Sequence, residues 1–197
     1  MIDEQLYFDI AEKYGKVASW AIWDKAGDKP KSNISNMETF NITTNPSILD
    51  ILRNDVVMVA LNFSRDVEMP EPFLNFHDSN PYGQDYKIRY AFEETDYYGA
   101  YMTDIIKNYP MLSSEDVLKH LKDKPHKVAE QIEGFREELK FIGANKPIIL
   151  AFGRDAYQIL SKHLNGTDYS KLIALTHYSH QISKESYRID THEKLSI

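Results

Sequence analysis

Four short apolar runs, each stopping at a group that can close a turn or do chemistry, constrain this chain more than anything else in it. They are VVMVALN (Val56 to Asn62), GAYMTD (Gly99 to Asp104), KPIILAFG (Lys146 to Gly153) and KLIALTHYSH (Lys171 to His180). Runs this short and apolar throughout, as at Val56, Val57 and Val59, suit strands buried on both faces of a parallel sheet. Helical patterns alternate with them. The clearest is Val128, Ile132, Phe135, Leu139 and Ile142, an unbroken stripe at steps of four and three from Pro125 to Ile142. Strand alternating with helix predicts an α/β fold with helices on both faces of a mostly parallel, four-stranded sheet, a three-layer α/β/α arrangement. In such sheets ligands bind outside the carboxyl ends of the strands.

Smaller signals fill in the rest. Ile2 to Lys13 reads as a first helix ended by Gly15, with Ile2, Leu6, Phe8, Ile10 and Ala11 on helical spacing. Val17 to Trp23 reads as a further strand carrying both tryptophans. Thr44-Asn45-Pro46 has the form of a helix start, Asn45 capping and Ile48, Leu49, Ile51 and Leu52 inward. Ser113 to Asp116 resembles another cap, and Gly153 a tight strand-to-helix turn. Between Asn62 and Tyr86 three prolines interrupt a stretch without period whose aromatics argue for an ordered, functional loop. At 197 residues one domain, 1–197, accounts for the whole chain.

Composition excludes several classes. There is no cysteine, so disulfides and thiolate metal sites are ruled out, and a reducing cytoplasm is the expected setting. No apolar run reaches membrane-spanning length, and the acidic start MIDEQLYFDIAEKYG is unlike a signal peptide, so no membrane association is expected. Histidines such as His163 and His192 lack partners at metal-binding steps, so neither metal nor cofactor is expected. A net charge of -7 argues against strong affinity for generic duplex DNA unless a local patch exists, with Lys87, Arg89, Lys107 and Arg154 as candidates by position.

Three groups at the strand ends carry chemistry. Asn62 leaves the first run; its amide can position a water or a carbonyl but cannot act as a general base, a role Asp66 could take if it turns into the same cleft. Asp104 ends the second run and accepts hydrogen bonds from ring N–H or amino groups. His177 follows the fourth run and can donate to a developing anion, with Ser179 two residues on to orient it or to bind phosphate. Each also has a structural alternative: loop hydrogen bonding for Asn62, capping for Asp104, packing for His177.

Taken together these segments resemble the uracil-DNA glycosylase-like superfamily over roughly Trp20 to Ser179. Ala60-Leu61-Asn62-Phe63 is similar to the family's first motif, of the form Gly-x-Asn/Asp-Pro, at Asn62, without its glycine and proline. Ile149 to Ala156 is similar to its third strand and following helix, and His177-Tyr178-Ser179 to its closing His-Pro-Ser motif, with tyrosine for proline. The resemblance implies hydrolysis of an N-glycosidic bond of a base in nucleic acid or a nucleoside. It makes Asn62 and His177 the catalytic residues, holding the water and stabilising the departing base. It makes Phe63, Phe73 or Phe76, Asp104 and Ser179 the substrate-binding ones, an aromatic stacking on the base and Asp104 reading it. Asp104 stands where the family has an amide, which suits an exocyclic amino group better than the O4 carbonyl of uracil. A module that binds a base or nucleotide without cleaving it is the alternative on the same fold, favoured by the missing carboxylate at position 62. A protein-interaction domain using the 13 tyrosines is a third.

Overall fold

The apolar runs do pair as strands of one sheet. A computed structural model describes residues 2–63, 70–107, 109 and 114–197. Its strands are β1 (Ser19–Trp20), β2 (Arg53–Asn62), β3 (Ala100–Ile106), β4 (Ile148–Phe152) and β5 (Lys171–Leu175), in the order β1-β3-β2-β4-β5. The pairs β3–β2, β2–β4 and β4–β5 are parallel; β1 lies antiparallel to β3. The sheet therefore has five strands, one more than the four-stranded expectation. The extra one comes from the tryptophan segment, of which only Ser19 and Trp20 join the ladder, against Met102 and Tyr101. Past Trp20 the chain turns, Ile22 N–H bonding back to the Trp20 carbonyl.

Alternation along the strands divides the core in two. Val57, Val59 and Leu61 join Tyr101, Ile105, Ile149 and Ala151 on one face. Packed there are α1 (Glu4–Tyr14), α3 (Ser114–Leu121), α4 (Pro125–Phe141) and α5 (Arg154–His163). Val56, Met58 and Ala60 face the other way with Met102, Leu150 and Phe152, under α2 (Tyr86–Phe92) and α6 (Lys184–Leu195). The α4 stripe packs as its period requires, with Ile132, Phe135, Leu139 and Ile142 all buried.

Pro46–Asp50 is a short 3₁₀ helix; Asn45 makes no side-chain cap, and Ile51 is 42 % exposed rather than inward. Phe8 likewise lies outside the buried face of α1, 50 % exposed. Ser113 lies outside the described residues.

One polar cluster crosses the first face. Glu138 on α4, fully buried, accepts from Tyr101 Oη at 2.9 Å and Thr103 Oγ1 at 2.8 Å, and pairs with Lys107 Nζ at 2.7 Å. Buried charges are tolerated only when paired and hydrogen-bonded in this way. Burial beside this carboxylate holds the Tyr101 phenol well above its usual range, so it stays a donor. Among the described residues no helix is long and apolar enough to cross a membrane.

Candidate active site

A cleft of about 280 Å³ opens at the carboxyl edge of the sheet. Its floor is the end of β2, from Ala60 to Asn62; one wall is the loop Tyr82–Asp85, and the other is His177, Tyr178 and Ser179 beyond β5. Asn62 and His177 thus share one cleft, with Ser179 beside them. Asn62 shares parity with Ala60 and so lies on the sheet face covered by α2 and α6; it is 9 % exposed. Ser64, Arg65 and Asp66 lie outside the described residues, and so does any role for Asp66 as a base.

The surroundings of His177 select one tautomer of its neutral ring. The ring stacks on Tyr178, centroids 4.3 Å apart, and packs over Gly153, whose φ of +90° is open to glycine but strained for other residues. Ser179 N–H reaches His177 Nδ1 at 3.2 Å and Ser179 Oγ reaches it at 2.8 Å. A backbone amide can only donate, so Nδ1 holds the lone pair and the proton of the neutral ring sits on Nε2. Burial disfavours the cation and pushes the imidazole down to about 4. At neutral pH His177, which lines the cleft, is therefore a neutral N–H donor.

Asp104 is not where the second run suggested. β3 continues through Ile105 to Ile106, which pairs with Asn62, so Asp104 lies two residues back, opposite Ala60. It is 2 % exposed, accepts from Asn75 Nδ2 at 2.9 Å and does not line the cleft. The run read from sequence ends at Asp104, but pairing with β2 extends the strand over Ile105 and Ile106. Burial pushes the Asp104 carboxyl up to about 7. The native state thus keeps a proton that the unfolded chain loses near pH 4, and stability should fall as pH rises from about 4 to about 7. At about 1.4 kcal/mol per pKa unit this loss is of the order of 4 kcal/mol. Asp104→Asn should flatten the decline, read as unfolding midpoints in urea between pH 5 and 8; a wild-type midpoint independent of pH would contradict it.

The aromatics are also redistributed. Phe73, 1 % exposed, lies in the core of the opposite sheet face against Tyr7, Trp20 and Phe40, so it cannot stack on a ligand in the cleft. Phe76, 3 % exposed, lies in the α2/α6 core, edge-on to Tyr178 at 6.4 Å, supporting the wall rather than lining it. Both take positive φ, 66° and 65°, which no sequence period announces. Phe63 is 8 % exposed, its N–H bonded to the Ile106 carbonyl. The rings that do line the cleft are Tyr178 and Tyr82, the latter 88 % exposed at the tip of its loop.

The basic patch expected from position does not assemble. Lys87 is buried with its Nζ 2.8 Å from the His180 carbonyl, Arg89 is buried against the carbonyls of Asp24, Pro30 and Ser32, and Lys107 serves Glu138. Arg154 alone of the four is exposed. It lines an adjoining groove of about 680 Å³ with His180 and Lys194, and this groove shares His177 and Ser179 with the cleft.

Sequence reasoning missed Asp85, 7 % exposed and part of the cleft wall. The available signal was the turn-rich HDSNPYGQD (His77 to Asp85) just before an apolar helix. Among the described residues no group of histidines and carboxylates could hold a metal ion. Comparison with known proteins gives no match to a family model, a curated protein or a solved structure.

Proposed function

We propose that this cleft hydrolyses the N-glycosidic bond of a base in nucleic acid or a nucleoside, on a three-layer α/β/α fold of the uracil-DNA glycosylase-like kind. The observation that carries the reading is His177, held as a neutral Nε2–H donor in the same cleft as Asn62. When the C1′–N bond breaks, its electron pair goes to the base, and negative charge develops on the ring and its carbonyl oxygen. A neutral N–H donor fixed beside that charge stabilises it without proton transfer. A water oxygen then bonds to C1′, and its proton passes to solvent or to the departed base. The Asn62 amide orients this water but cannot deprotonate it. Tyr178 offers an aromatic wall for the base.

A binding module is the second reading, and one observation favours it: the end of β2 supplies an amide, Asn62, rather than a carboxylate. The test is incubation with single- and double-stranded oligonucleotides carrying uracil, hypoxanthine, xanthine, 5-methylcytosine, 8-oxoguanine or a G·T mismatch, scored for abasic sites. Slow release of one base is expected. Retained base binding with no abasic product from any substrate would leave the binding module.

A further inference from the structure

Asp85 occupies the capping position of α2, yet its side chain caps none of that helix's amides. Its Oδ2 instead accepts the Asp78 N–H at 2.8 Å. The loop that presents it is built from two successive Asx turns, Asn80 N–H to Asp78 Oδ1 at 2.8 Å and Tyr82 N–H to Asn80 Oδ1 at 2.9 Å, and a backbone turn in which Gly83 N–H bonds to the Asn80 carbonyl at 2.9 Å. Lys31 Nζ fastens the tip through the Pro81 carbonyl. The carboxylate is therefore held in place before any ligand arrives. Among the described residues it is the one acidic side chain lining the cleft.

We infer that Asp85 selects, in this cleft, a heterocycle that presents an exocyclic amino group. The inference rests on the reading of the cleft as a base site and names the class of base. Asp85 acts as a negative charge that helps to raise the Asp104 carboxyl; a carboxylate in that state only accepts hydrogen bonds, so an amino group facing it gains a charge-assisted bond, whereas a keto oxygen is repelled and left unpaired. His177 Nε2–H supplies the complementary donor, suited to a ring carbonyl or nitrogen lone pair. Ligand pockets usually span about 300–1,000 Å³, so a cleft of about 280 Å³ suits one heterocycle rather than a whole dinucleotide. Asp104, sealed behind Asn75, cannot make this selection.

The experiment is calorimetric titration of the wild-type chain and Asp85→Asn with cytidine against uridine, adenosine against inosine, and guanosine against inosine. The variant keeps an oxygen for the Asp78 N–H, and its fold is checked by circular dichroism. At least one amino-bearing nucleoside should bind wild type about 10–100-fold more tightly than its partner, the usual discrimination of a site built around a polar contact. In Asp85→Asn that ratio should fall towards one or reverse. Binding without an amino preference, or a preference unchanged in the variant, overturns the inference and leaves the base site standing. Failure of wild type to bind any of these probes at millimolar concentration overturns both.

Discussion

Glu138→Ala should cost the fold about 3–5 kcal/mol, the usual penalty for breaking a buried ion pair from one side. Removing the carboxylate leaves the Lys107 ammonium without its counter-ion and strands the Tyr101 and Thr103 hydroxyls inside the α4-covered face. For a chain of 197 residues that corresponds to a thermal midpoint lower by the order of 10 °C. Glu138→Gln keeps the volume and one acceptor and should lose less. Urea unfolding of both variants checks this, and a loss below about 1 kcal/mol for alanine would mean that the cluster is solvated or replaceable. Lys107 also holds the Asp104 backbone carbonyl near the end of β3, so the substitution should loosen that strand end as well.

The sheet was legible because its signals are local. Val56 to Leu61 and Ile148 to Phe152 are apolar on both faces, and the α4 stripe repeats every three or four residues, so period alone separates strand from helix. The placing of Asn62 and His177 at one cleft was legible for the same reason: Asn62 is the first polar residue after its run, and His177 follows its own run directly after Thr176. What was not legible depends on contacts between distant segments. Asp104 reads as a strand end until pairing between Asn62 and Ile106 carries β3 past it. Phe73 and Phe76 read as free loop aromatics, but left-handed backbone turns them into opposite cores. Lys87 and Arg89 read as surface charge, but their heads tuck onto backbone carbonyls of other loops. Asp85 has no periodic neighbour, and it is placed by the fold of its loop, in which its carboxylate accepts the Asp78 N–H.

His177→Ala should lower the rate of base release by about 10²–10³, the usual loss when one donor to a developing anion is removed. The ring packs on Tyr178 and Gly153 at the rim, so the substitution should leave the sheet folded. The pH dependence separates this role from general-acid catalysis. Burial holds His177 down at about 4, so it is neutral and donating throughout pH 5–8 and should contribute no limb to the rate profile there. A general acid titrating in that range would instead lose activity as pH rose through its pKa. Ser179→Ala should have a smaller effect, since the backbone N–H of residue 179 still holds Nδ1 as an acceptor.

The most direct measurement is single-turnover release of the preferred base by wild type and by His177→Ala, scored as abasic sites from pH 5 to 8. The cleft as described predicts product with wild type, a rate lower by about 10²–10³ in the variant, and no step in that ratio near pH 6.5. Equal rates in the two proteins, or no abasic site with wild type on any base, would contradict it.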